Sequence, residues 1–122
     1  MEEWNKGLMK HLGIRIVETT PERVVGELEV RDELKTTTAA VHGGTLMAFA
    51  DTIGAVGTAA LGFKTATLES KTNFFAAGRS GLVRAESTPL HRGKRTMVWQ
   101  TKVTDESGRM LSLTTQTQMV LT

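Results

Sequence analysis

Between residues 36 and 63 the only ionised side chain is Asp51, set among Ala, Gly, Thr and large apolar residues. This stretch limits what the whole chain can fold into. A bilayer span fails on composition: Gly43, Gly44, Gly54, Gly57, Gly62 and several threonines dilute the apolar content, a carboxylate falls mid-span, and no second span or basic flank accompanies it. A buried helix fits. Leu46, Phe49, Ile53, Val56 and Ala60 recur at helical spacing, while Gly44, Met47, Ala48, Asp51, Gly54, Ala55 and Thr58 lie round the other side. One face is bulky and the other is small. A helix with so little polar surface must be covered on nearly all sides.

Elsewhere the apolar period switches to two. Val24, Gly26, Leu28 and Val30 alternate with Val25, Glu27, Glu29 and Arg31, and Met97, Trp99, Thr101 and Val103 alternate with Val98, Gln100, Lys102 and Thr104. Leu111, Leu113, Thr115, Thr117, Met119 and Leu121 give a further, threonine-rich strand. Residues 66–75 and 81–88 add two more, separated by the turn chemistry of Ala77-Gly78-Arg79-Ser80-Gly81. Gly93 and Asp105-Glu106-Ser107-Gly108 mark the later reversals. Residues 2–11 read as a short helix ending at Gly13, and residues 14–18 as a strand turned at Thr20-Pro21-Glu22. The order predicts an α+β fold, with an antiparallel sheet of about six strands wrapped around one long helix in a single domain over residues 1–122. One sheet of this size leaves the small helix face bare. Self-association as a homodimer is the economical solution, because a two-fold axis lets each copy cover the other.

Charge and composition narrow the function classes. The pI is near 9.2 but the formal net charge is only +2, and no pair of helices suited to reading DNA accompanies the domain, so nucleic acid is not an expected partner. The absence of cysteine removes disulfides, thiolate nucleophiles and Cys-based metal sites, and no metal is expected. Met1-Glu2-Glu3-Trp4 places acid where a signal peptide needs a basic start, which predicts a cytoplasmic protein with no membrane partner.

Few groups remain for chemistry. His11 lies in an amphipathic segment beside Lys10 and reads as solvated, and His91 sits in the Pro89-Leu90-His91-Arg92-Gly93-Lys94-Arg95 turn. His42 differs, since it precedes Gly43-Gly44 at the entry to the buried helix. There its ring and the exposed N–H groups of the first turn point into one place; the structural alternative is a plain N-cap. Asp51 follows His42 by nine residues. On one helix that is a half-turn offset and roughly 13 Å along the axis. A second helix across a dimer axis brings the two together. A buried carboxylate on a small-residue face, with room left by Gly54 and Ala55, points to a ligand cavity. The structural alternative has it satisfied by hydroxyls such as those of Thr52 or Thr58.

These residues also carry a family likeness. Val41-His42-Gly43-Gly44-Thr45-Leu46-Met47-Ala48-Phe49-Ala50-Asp51 resembles the His-Gly-Gly helix start of hotdog-fold acyl-CoA thioesterases, in the branch of the phenylacetate-pathway and Arthrobacter-type 4-hydroxybenzoyl-CoA enzymes. Ser70-Lys71-Thr72-Asn73-Phe74 resembles that family's strand along the acyl pocket. The segment from Pro89 to Arg95, with Val98-Trp99-Gln100, resembles the 1,4-dihydroxy-2-naphthoyl-CoA hydrolase subgroup. The resemblance implies a hotdog fold, dimeric or tetrameric, hydrolysing an aryl or medium-chain acyl-CoA without a cofactor, coenzyme A being part of the substrate. It implies Asp51 as nucleophile or general base, the Gly43 N–H as oxyanion donor, and His42 as the group that orients the thioester. Gly44, Thr36, Met47, Asn73 and Phe74 would contact substrate, with Phe75 and Phe63 as further candidates for the pocket. Arg92, Gly93 and Lys94, together with Arg95, would hold the CoA phosphates. The chain departs from the family at Thr36, where Asn or Gln is common, and at Ala55, where Ser or Thr is common. Thr37, Thr38 or Thr58 is the candidate replacement. The rival readings are a hotdog hydratase or dehydratase, disfavoured because no proline lies between Pro21 and Pro89, and a non-catalytic acyl-CoA-binding module.

Overall fold

The computed structural model describes residues 4–121, so Glu2 and Glu3 of the expected first helix lie outside the described residues. The elements in chain order are α1 (Gly7–Leu12), β1 (Arg15–Thr20), β2 (Arg23–Glu29), a 3₁₀ turn (Asp32–Leu34), α2 (Gly43–Ala59), β3 (Thr65–Phe74), β4 (Leu82–Arg92), β5 (Thr96–Thr104) and β6 (Met110–Val120). The six strands form one antiparallel sheet in the order β1-β2-β4-β5-β6-β3, which leaves β1 and β3 at its edges. This is the expected α+β architecture of a sheet curled around one long helix.

Helix α1 is shorter than the amphipathic pattern suggests and depends on tertiary contacts. Gly13 ends it in the left-handed region at φ 78. The Arg31 guanidinium donates to the carbonyls of Leu12, at 2.9 Å, and His11, satisfying the last turn. Met9 and Leu12 are its buried residues.

The core lies between α2 and the concave face of the sheet. Leu46, Phe49, Ile53 and Val56 pack against Val24, Leu28, Val83, Ala85 and Val103. The bulky face therefore matches its expected residues, except that Ala60 lies past the helix end and is exposed. The small face is narrower than the pattern implied, because Gly54 and Thr58 are buried on the sheet side, as is Gly57. A Cβ at Gly54 would stand 2.5 Å from the Gln116 amide carbon, so the space expected beside Asp51 is filled by a side chain of β6. A Cβ at Gly57 would stand 2.5 Å from the Trp99 ring. That ring is fully buried and donates from Nε1 to Thr58 Oγ1 at 3.0 Å. Gly57→Ala gains about 1 kcal/mol of helix propensity. Displacing a pinned indole outweighs that gain, so a net loss of about 1–3 kcal/mol is expected. Denaturant unfolding checks this, and a raised midpoint would show that the ring yields without cost.

Two strands depart from the pattern read from sequence. On β6 the helix-facing residues from 112 onward are Ser112, Thr114, Gln116 and Gln118, all fully buried, while Leu113, Thr115 and Thr117 are half-buried on the outer face. The polar phase is partly satisfied internally, as in the 2.7 Å bond between the hydroxyls of Thr72 and Thr114, while Ser112 Oγ and Gln116 Oε1 are buried without a partner among the described residues. Strand β4 continues through the segment expected to be a turn. Its extra residue lies between Pro89 and His91, and only residues 93–95 separate it from β5. Between β5 and β6, Asp105 accepts from Ser107 Oγ at 2.6 Å and from the N–H groups of Ser107 and Arg109. These bonds, led by the Ser107 hydroxyl, hold its carboxyl below the ordinary value.

Candidate active site

Helix α2 starts directly after His42. Residues 36–40 form a tight loop in which Ala39 adopts φ 64, and a bridge from Lys35 to Val41 closes it. His42, extended at φ −64 and ψ 137, is the N-cap. Its Nδ1 accepts the Gly44 N–H at 2.7 Å, while its carbonyl accepts from Thr45 and Leu46. The expected N-cap geometry is therefore present, and it fixes the tautomer: a neutral imidazole that accepts at Nδ1 carries its proton on Nε2. His42 is exposed, so that Nε2–H reaches solvent. Gly44 serves the cap, since a Cβ there would lie 3.0 Å from Nδ1.

The first-turn amides are thus taken by His42, with one exception. No described residue accepts from the Gly43 N–H. At the positive end of a 17-residue helix it is a donor aimed outward. The half-exposed Phe74 ring lies against Gly43, with Cζ 3.1 Å from where a Cβ would stand, so a side chain at this position would press the ring aside by a few tenths of an ångström.

Asp51 stands midway along α2 and is half-buried. The hydroxyl that satisfies it is neither Thr52, which donates to Ala48 O at 2.8 Å, nor Thr58. It is Thr67 of β3, which donates to Asp51 Oδ1 at 2.5 Å. Gln116 Nε2 donates to the same oxygen at 3.3 Å and to the Asp51 carbonyl at 3.2 Å. Oδ2 accepts from no described residue. Two clefts flank the carboxylate. One of about 270 Å³ is lined by Met47, Ala48, Asp51, Thr67 and Ser70. The other, of about 280 Å³, runs along Trp4, Met9, Thr52, Ala55, Val56, Ala59 and Thr65. Together they make the bare strip of α2 a partly apolar groove with one acid in it.

Other expected residues are placed less uniformly. Met47 is exposed beside Asp51, and Thr36 Oγ1 is bound within its own loop to Thr38, at 2.7 Å between hydroxyls. Thr58, the candidate on the next helix turn to replace the hydroxyl missing at Ala55, is buried between Trp99 and Met97. Asn73 pairs across to Leu113 on the outer phase of β3, so within this chain it faces away from Asp51. Phe75 is more than half exposed, and Phe63 lies beyond the end of α2. The Arg92 guanidinium donates to the Pro21 carbonyl. Lys94 and Arg95 are exposed and form no ion pair with any described residue. Gly93 is needed inside the turn, because a Cβ would lie 2.8 Å from both His91 Nε2 and the Thr96 carbonyl.

His42 and Asp51 remain far apart in one chain, by roughly 13 Å of helix rise. The residues that sequence reasoning missed are Thr67, Gln116 and Gln118. Their signal was present, since two glutamines two positions apart in an otherwise Thr- and apolar-rich strand must share one face.

Comparison with known proteins bears on this arrangement. The thioesterase superfamily profile matches residues 38–112. A 1,4-dihydroxy-2-naphthoyl-CoA hydrolase of Listeria monocytogenes is 32% identical over 113 residues, covering 88% of this chain and 89% of the relative. The Escherichia coli protein of that name is 30% identical over 119 residues, covering 92% and 79%. Among solved structures, a thioesterase of Haemophilus influenzae superposes with a TM-score of 0.93 at 25% identity, covering 98% of this chain and 86% of that one.

Proposed function

The chain belongs to the thioesterase superfamily and is a thioester hydrolase of hotdog fold, and from that premise we propose that it cleaves an aryl or medium-chain acyl-CoA to the free acid and CoA. The observation that carries the reading is the pair of uncommitted groups on one helix: the Gly43 N–H and Asp51 Oδ2. Thioester hydrolysis needs a donor for the developing oxyanion and a group that attacks or deprotonates water. In this reading the Gly43 N–H takes the carbonyl oxygen, helped by the helix dipole, and His42 Nε2–H holds the thioester in line. Asp51 either takes the proton of the attacking water and returns it to the departing sulfur, or attacks the carbonyl carbon itself to form a mixed anhydride that water then hydrolyses to the free acid, regenerating the carboxylate. In both routes the C–S bond breaks and CoA leaves as the thiol, its proton coming ultimately from the water consumed. The distance between these two groups along the helix is met by a homodimer, or a dimer of dimers, in which Asp51 of one copy faces Gly43 of the other across the small-residue strip. No cofactor enters the reaction.

Because the chain has no cysteine, release of CoA thiol can be followed with a thiol reagent free of protein background. A panel of aryl and aliphatic acyl-CoAs should give continuous release. Stoichiometric binding without turnover would instead identify the acyl-CoA-binding module. The turn cations supply a further expectation. Lys94→Glu should raise KM for acyl-CoA by about tenfold or more, since a charge-assisted phosphate contact is lost and a repulsion added. It should leave KM for the corresponding pantetheine thioester nearly unchanged. Equal effects on both substrates would remove the phosphate role.

A further inference from the structure

Asp51 belongs to the helix, but the groups that grip it come from two strands, and every link has a fixed direction. Thr65 Oγ1 donates to Gln118 Oε1 at 2.7 Å, which turns the amide so that Nε2 donates to Thr67 Oγ1 at 2.7 Å. A hydroxyl has one hydrogen, and with its oxygen already accepting, Thr67 sends that hydrogen to Asp51 Oδ1. Gln116 adds a second donor to the same oxygen. Gln116 and Gln118 are fully buried, so the chain of donors is anchored in the core.

A bulge sets this up. Leu68 is the extra residue between Thr67, paired with Gln118, and Glu69, paired with Thr117. Regular alternation from Thr67 would turn Glu69 toward the helix, beside Asp51. The bulge puts Glu69 on the outer phase and Ser70, paired with Gln116, on the inner one. A second carboxylate is thereby kept out of the cleft, and hydroxyls line it.

We propose that Thr67, oriented by Gln118 and placed by the Leu68 bulge, is a positioning residue that fixes which oxygen of Asp51 meets the substrate. Oδ1 is held by the strands and Oδ2 is delivered to the reaction. The inference rests on the role given to Asp51 above, and its test separates the two. Thr67→Val keeps the shape and removes the donor, so kcat should fall by about tenfold or more while KM stays within about twofold, the pattern of a misaligned group rather than a lost binding contact. Thr67→Ser, which restores the hydroxyl, should restore turnover. In an Asp51→Asn background, Thr67→Val should add almost nothing to the loss. An unfolding midpoint for each variant confirms that rates are compared per folded molecule. Wild-type kcat in Thr67→Val, an equal defect in Thr67→Ser, or an undiminished Thr67→Val penalty in the Asp51→Asn background would each overturn the clamp while leaving Asp51 in its role. Full activity in Asp51→Asn would overturn the role of Asp51 and the clamp with it.

Discussion

Replacing Asp51 by asparagine should lower acyl-CoA turnover by at least ~10², the usual scale for losing a general base, with binding retained. The substitution keeps volume and leaves an amide oxygen able to accept from Thr67 and Gln116, which hold Oδ1 in the native protein. What disappears is the charge and the basic lone pair at Oδ2. A purely structural carboxylate predicts the reverse outcome, with lower stability and an unchanged rate per folded molecule. Single-turnover kinetics, a binding isotherm with the same acyl-CoA and an unfolding curve distinguish the cases. Full activity in the asparagine variant would end the catalytic assignment.

Mixed assemblies should recover activity from two inactive parents. His42→Asn retains a side-chain oxygen for the Gly44 amide, which His42 Nδ1 now satisfies, but loses the exposed ring N–H. Paired with Asp51→Asn chains, it leaves one site of a hybrid dimer with both native residues and the other with neither. Random reassortment makes half the dimers hybrid and gives each one intact site of two, so about a quarter of the wild-type rate should return. The basis is helix geometry, since nine residues carry Asp51 roughly 13 Å from the N-cap and no rotamer closes that gap. Absence of recovery, with mixing confirmed by mass spectrometry, would refute the shared site.

The parts of the structure that rest on strong periodicity were legible in the sequence. The six strands, the bulky face of α2 and the capping position of His42 all follow from spacing and from the unmet N–H groups of a helix start. Phase was harder where a strand alternates Thr and Gln with Leu and Thr, as β6 does. There hydrophobicity favoured the wrong face, because the cost of burying the Gln118 amide and Gln116 Nε2 is offset by partners on β3 and α2 that no local pattern reveals. The same blindness placed Gly54 beside open space, where the Gln116 side chain sits, and missed Thr67, whose direction depends on a bulge one residue away. The bulge also sets Asn73 on the outer phase of β3 within this chain.

The bulges have a bearing on solubility as well. Both edge strands carry one, with Val17 as the extra residue of β1 and Leu68 of β3, and both side chains are at least half exposed. An uninterrupted edge offers a continuous row of N–H and C=O groups and invites endless strand addition. Here each row breaks partway along, so an incoming strand finds a matching register only on one side of the break. The sheet can accept a finite neighbour while resisting growth into fibrils, although Leu68, Phe74 and Phe75 leave the β3 side apolar.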